Sequence, residues 1–435
     1  MLVVSKLKRN FAILAIATIC SKCIGFFREM LSAQQFGLSD NFDIYLSVFV
    51  VPSMITSLLL YAVPNVVIPK LKLNNNIDDR SFYSYFSSHF FWPYLLVLVL
   101  IVTVYNFFLN YYVGCLGLSN EKFLLAVQIG RLLSLYIFFE AMFNMLTVLY
   151  NAKEKFVLPA FLHLILQSTV IISLLLSSYS IGVLSIVYGL AIGALVEFIV
   201  FLIFLRKQEI LKYFKLNFSF TPHLLSSGII ILIIEFMGQL YSFADRIHLT
   251  KVPQGYIAGL YYANILKELP FVIFGVTLGG VLLPKITKMY QNQAYGSLIK
   301  LMHKILLNVF LLALCVALVL LFCGKWIVSF LFERGAFTPE NSILTSKLLS
   351  LYALGLPFIF IHFLLIKLYY SVKLEKMVLI TTSISILLKY ILNDYFVSIE
   401  YYDGLALSTS IAFILNASIL VLYYIFKLSS KLSKR

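Results

Sequence analysis

Charge is what this sequence has least of. Only 12% of its 435 residues are Asp, Glu, Lys or Arg, about half the share that a soluble globular domain carries. A soluble fold is excluded on that ground, and 61% hydrophobic residues point instead to an integral membrane protein. Acid is the scarcer sign, with 19 Asp and Glu against 34 Lys and Arg and a net charge of +15. A nucleic-acid binder would gather such an excess on one soluble face. Here the basic residues are scattered between apolar segments, so no nucleic-acid partner is expected. Cysteine is sparse too. Cys20, Cys23, Cys115, Cys315 and Cys323 lie in apolar or boundary sequence, as free thiols do, and imply no disulfide framework. Cys20 and Cys23 form a C-x-x-C, but with no second pair and no nearby His they are assigned to packing rather than to zinc or redox chemistry. The six His residues have no metal-ligand spacing, and neither a nucleophile elbow nor a Walker lysine in a glycine loop is present. No enzyme, cofactor or metal is expected. The N-terminal apolar stretch has no small-residue cleavage site, so it is expected to stay as the first span.

What the sequence does have is apolar length. With roughly 20 residues per span, about twelve segments qualify, near 10–36, 42–69, 84–113, 122–150, 155–177, 180–205, 222–250, 256–284, 301–332, 341–371, 376–397 and 402–427. An even count puts both termini on one side. Lys6, Lys70, Lys72, Arg80, Lys153, Lys155, Arg206, Lys207, Lys212, Lys285, Lys288, Lys373, Lys376 and Arg435 cluster at one set of span ends, whereas the other set holds mainly Lys122, Lys251, Lys325 and Arg334. The positive-inside rule therefore predicts cytoplasmic termini.

The chain also echoes itself. Arg28 in GFFRE matches Arg246 in FADRI, VVIPKL ending at Leu71 matches VLLPKI ending at Ile286, and LYNAKEKFVL from Leu149 matches LYYSVKLEKMVL from Leu368. The separations agree, at roughly 215 to 219 residues, as two like-oriented halves would require. One chance match is easy, but three collinear ones are not. The predicted fold is an all-α membrane protein of two six-helix lobes, residues 1–205 and 222–435, joined by a basic linker at 206–221. Their pseudo-twofold axis would lie along the membrane normal. That is a transporter architecture, with its site expected between the halves.

Charges nevertheless enter the spans. Lys22, Arg28, Glu29, Arg131, Glu140 and Glu197 do so in the first half, and Glu235, Asp245, Arg246, Lys267, Glu268, Lys347, Lys367 and Lys389 in the second. Such groups face a bundle interior or a wet cavity. Lys22 and Glu29, seven residues apart, share one helical face, with Arg28 a step around. Arg28–Glu29, Asp245–Arg246 and Lys267–Glu268 can also be read as structural charge pairs, and Asp40 and Asp43 as caps of the second span. Lys347, Lys367 and Lys389 could snorkel or line a cavity. Glu140, Glu197 and Glu235 read as lone carboxylates. Prolines 52, 64, 93, 159, 270 and 357 fall inside predicted spans and are expected to bend or hinge them.

SKCIGFFREMLSAQQFGLSDNFDIYLSVFVVP at 21–52 resembles the opening of the MurJ (MviN) lipid II flippases, as do NAKEKFVLPAF at 151–161, YYANILKELPFVIFGVTLGGVLLPKITK at 261–288 and ERGAFTPENSILTSKLLSLYALGLPF at 333–358. The likeness covers nearly the whole chain. It implies membership of the multidrug/oligosaccharidyl-lipid/polysaccharide exporter superfamily and a two-lobed carrier of lipid-linked sugar precursors in the bacterial inner membrane. The implied substrate is a polyprenyl-diphosphate-linked saccharide, drawn from the bilayer and moved with the help of a coupling ion or another gradient. Lys22 and Arg28 would grip the diphosphate, Arg246 and Lys267 would add charge from the other lobe, and Glu29, Asp43 and Asp245 would orient these cations. The pattern departs from the family at Thr56 and Ser57, where paired arginines are expected, at Ile265, where another arginine is expected, and in lacking two further C-terminal helices. The carried saccharide could therefore be a different undecaprenyl-linked oligosaccharide. A multidrug or cation antiporter would instead favour an acidic cavity. A membrane glycosyltransferase would need a sizeable external loop, and the longest predicted one is about ten residues.

Overall fold

The computed structural model describes residues 20–73, 78–218, 233, 236–241, 243–248, 251–271 and 277–429. Every regular element among them is helical. Hydrogen-bonding all backbone groups within one segment is what a chain in hydrocarbon must do. The chain divides into two compact units, Met1–Phe36 with Ile44–Gln239, and Gly37–Asp43 with Leu240–Arg435.

The first unit holds α1 (20–36), most of α2 (Asp40–Leu73), α3 (Asp79–Cys115), α4 (Asn120–Ala152), α5 (Val157–Ile181) and α6 (Leu184–Lys207). The second holds α7 (Tyr256–Pro270), α8 (Thr277–Gln291), α9 (Tyr295–Phe332), α10 (Pro339–Ala353), α11 (Leu356–Ser371), α12 (Glu375–Ser398) and α13 (Gly404–Ser429), preceded by helical residues at 236–241 and 243–246. Among the described residues eight helices are long and apolar enough to cross a membrane, and α10 with α11, bent by 47°, makes a ninth. Each of the nine overlies a segment predicted from hydropathy. The other three predicted spans, 10–36, 222–250 and 256–284, run into residues outside the described set. Phe322, Trp326 and Phe330 on α9 recur every four residues and are about 80% exposed, an apolar stripe suited to acyl chains.

The expectation that prolines bend their spans is met in the predicted span 341–371, which turns by 47° just before Pro357, and Pro270 lies in the last turn of α7; other prolines are accommodated locally. Pro159 and Pro357 lie in the first turns of α5 and α11, where no intrahelical donor is lost. Pro93 follows a π-turn at Ser87–Phe91, which absorbs the mismatch inside α3. Pro52 and Pro64 do sit mid-helix in α2. At the α10–α11 bend the backbone is held by one side chain. Ser410 Oγ donates to Leu351 O at 2.6 Å and accepts from Gly355 N–H at 3.1 Å.

The turns repeat the internal echo. Left-handed residues occur at Gly37 and Gly255, Gly117 and Gly335, Glu154 and Lys373, and Gly182 and Glu400, each pair again about 218 residues apart, as duplicated halves require. Two of these glycines are obligatory on steric grounds as well. A Cβ on Gly37 would meet Ala336 O at 2.2 Å, and one on Gly255 would meet Leu38 O at 2.8 Å.

Candidate functional site: charged clusters inside the spans

Arg28 lies on α1 beside the buried Glu29. Its Nε donates to Glu29 Oε1 at 3.1 Å and Nη2 bonds the same oxygen, while Nη1 donates to Gln167 Oε1 on α5 at 3.0 Å. Neighbour and amide together fix the guanidinium plane, and its side chain stays 22% exposed. A planar fork so held matches phosphate oxygens bidentately. Lys22, nearly two turns earlier, is exposed. Thr56, where the family pattern leads to arginine, returns its hydroxyl to Pro52 O at 3.0 Å.

A second acidic cluster lies close by. Glu140 on α4, His163 on α5 and Glu197 on α6 bring one ligand atom each within 4.8 Å of one another. Both glutamates, read from sequence as lone carboxylates, therefore have partners. The reason is close helix packing. Gly189 and Gly193 let α6 approach α5 so tightly that an added Cβ would lie 2.7 Å from Val170 Cα and 3.1 Å from Leu166 Cα. Glu197 is the next residue on that stripe, and it meets His163 one turn beyond Leu166. The pattern Gly189-x-x-x-Gly193-x-x-x-Glu197 was the sequence signal that could have found it.

In the second unit, Asp245 is paired with Lys389 on α12 rather than with its neighbour Arg246. Lys389 Nζ donates to Asp245 Oδ2 at 2.9 Å and to Tyr241 O at 2.5 Å, and Asn393 Nδ2 donates to Asp245 Oδ1 at 2.9 Å. Ser408 donates to Asn393 Oδ1. Lys389 is 1% exposed, so it neither snorkels nor faces open water. Arg246 stands over the Tyr261 ring, 5.7 Å from its centroid. Lys267 is buried; it donates to Asn264 Oδ1 at 2.5 Å and lies 4.7 Å from the Tyr352 ring centroid. Asn264 Nδ2 in turn donates to Glu268 Oε1 at 2.7 Å, so the Lys267–Glu268 pair is bridged through an amide. Lys347 pairs with Asp403 at the start of α13. Glu235 lies outside the described residues.

Asp43 caps a helix, though not its own. Its two oxygens accept from Gly255 N–H and Ala258 N–H, both at 2.6 Å, at the N-terminus of α7. Phe42 stacks on Tyr262, with centroids 5.6 Å apart, in a buried ring cluster with Phe332 and Phe337. Residues 37–43 are thereby fastened to the α7 start and to the loop before α10. Of the expected site residues, Arg28 and Glu29 are in contact. Asp43, Asp245, Arg246 and Lys267 take separate partners, and Gln167, Lys389, Asn393 and His163 are added.

Two duplicated helical units whose spans carry basic groups held by acids and amides define a multi-span transporter. More narrowly, the chain belongs to the lipid II flippase MurJ family, whose model matches residues 32–434. It is 28% identical to the lipid II flippase MurJ of Thermosipho africanus, with 96% of this chain and 84% of that protein covered. It is 26% identical to a probable lipid II flippase MurJ of Buchnera aphidicola, covering 93% and 80%. A solved lipid II flippase MurJ in an inward closed conformation superposes with a TM-score of 0.80 at 26% identity, over 97% of this chain and 90% of that one. An inward-facing multidrug transporter of the MATE family shares the fold, with a TM-score of 0.75 at 12% identity, over 94% and 96%.

Proposed function

We propose that this protein moves an undecaprenyl-diphosphate-linked saccharide, a lipid II-like peptidoglycan precursor, from the inner to the outer leaflet of a bacterial inner membrane by alternating access. The observation that carries the reading is the family match over residues 32–434. The basic groups inside the spans supply the chemistry. A diphosphate needs fixed cations, and Arg28, oriented by Glu29 and Gln167, is the best placed to give a two-pronged contact. Lys22 adds charge on the same helix. Arg246 and Lys267 contribute from the C-terminal lobe. Asp245 and Asp43 act as positioning residues, the first through Lys389 and the second through the α7 N-terminus. In this reading residues 1–205 and 222–435 move as lobes about the 206–221 linker, the termini are cytoplasmic, a coupling ion or the membrane potential supplies the energy, and no covalent chemistry is performed.

The runner-up is a carrier of another undecaprenyl-linked oligosaccharide. Thr56, Ser57 and Ile265 favour it, because they leave fewer cations than the family pattern carries. One experiment separates the two: deplete the protein and identify which undecaprenyl-linked intermediate accumulates on the cytoplasmic leaflet. In the same cells, Arg28→Glu is expected to abolish rescue at normal protein level, and rescue by that variant would discard the assignment of Arg28.

A further inference from the structure

Glu197 is fully buried, and both of its carboxylate oxygens lack a hydrogen-bond donor. Glu140 is 5% exposed. Its Oε1 accepts from Asn144 Nδ2 at 3.1 Å, while Oε2 is also without a donor. Three carboxylate oxygens thus converge in an apolar bundle without a hydrogen-bond donor, and His163 at 3.5 Å is the one basic group among the described residues that faces them; each such atom is costly to leave so. A cation that accepts electron pairs from these oxygens would offset that cost. His163 identifies its class. The imidazole Nδ1 is turned toward Glu197 Oε2 at 3.5 Å, close to the edge of about 3.3 Å between neighbouring ligands of a tetrahedral zinc at bond lengths near 2 Å. Alkali and alkaline-earth ions take all-oxygen shells, whereas imidazole with carboxylates is a donor set for zinc, manganese or iron.

We propose that Glu140, His163 and Glu197 bind one divalent transition-metal ion, which ties α4, α5 and α6 together in the N-terminal unit. Two carboxylates and a dication leave the buried site neutral. Close approach at Gly189 and Gly193 fixes Glu197 against His163, so the donors are pre-set by packing rather than gathered by the ion. The ring of His163 is 37% exposed and gives the ion its way in. Gln167, which holds Arg28, follows His163 by one turn on α5, and this places the site beside the Arg28 cluster. An ion here would brace α5, the helix that carries Gln167, against its neighbours.

The test uses the full chain, purified in detergent after chelator treatment and titrated with Zn2+ by calorimetry and with Co2+ by visible absorption. The expected result is about one ion per chain, with Co2+ bands of a four-coordinate site and a melting temperature raised by Zn2+. Glu197→Gln, which keeps shape and removes charge, is expected to abolish binding. His163→Gln is expected to weaken it at least tenfold and to alter the Co2+ spectrum. Melting curves of both variants without metal check that they fold, and His163→Gln decides if Glu197→Gln does not. Wild-type protein that binds no ion, or that only takes up protons as pH falls, overturns the proposal. So does stoichiometric binding that survives in a folded variant.

Discussion

At the scale of single residues, Asp245 and Lys389 show how an apolar bundle tolerates charge. Each is tolerable because the other is there, with Asn393, Ser408 and a backbone carbonyl completing the shell. Breaking a buried pair leaves an uncompensated charge and costs about 3 to 5 kcal/mol, whereas removing both partners together costs far less. Asp245→Asn alone should therefore lower the melting temperature of the purified protein sharply, and Asp245→Asn with Lys389→Met should recover most of the loss. Equal melting of single and double variants would refute the pairing. Sequence alone showed that both residues are intramembrane. It paired Asp245 with Arg246 because they are adjacent, as Arg28 and Glu29 are, but here the observed partner is on α12, 144 residues away. Asn393 and Gln167, uncharged, carried no signal of their own.

At the scale of elements, hydropathy found nine spans nearly to their ends, because about 20 consecutive apolar residues leave few alternatives to a helix. What it could not give was how proline is accommodated. The expected bend is present just before Pro357, whereas Pro52 and Pro64 lie within the continuous helix α2, Pro159 sits in a first turn and a π-turn precedes Pro93. The 47° bend between α10 and α11 depends on a remote hydroxyl, since Ser410 serves both Leu351 O and Gly355 N–H. Ser410→Ala should cost about 1 to 3 kcal/mol, the penalty of taking the donor from Leu351 O in a dry setting while Gly355 N–H keeps only Tyr352 O, and should be read as a fall in melting temperature. Ser410→Thr, which keeps the hydroxyl but adds a methyl where Gly355 already approaches closely, tests the steric side of the same contact.

At the scale of the molecule, three short matches predicted duplication, and the left-handed turns carry the same period. They also show where the halves have diverged. Gly182 ends α5 with φ of 59°, and at the matching place after α12 stands Glu400 with φ of 58°. A side chain there costs about 1 kcal/mol or more, so Glu400→Gly should stabilise the protein by roughly 0.5 to 1 kcal/mol, whereas Gly182→Glu should destabilise it. Thermal denaturation of the two variants checks both signs. The Glu140–His163–Glu197 cluster stayed hidden for a reason that belongs to this scale. Its members come from three helices, and only the tertiary approach of α5 and α6 turns separate acids and a histidine into one constellation.

The ammonium of Lys389 has one more consequence. Being attached to the chain, it enters the bilayer with its helix and neither dissociates nor competes with dissolved cations. Replacing sodium by potassium or by a bulky organic cation should therefore leave the Asp245 neighbourhood intact, because its counter-charge is part of the chain.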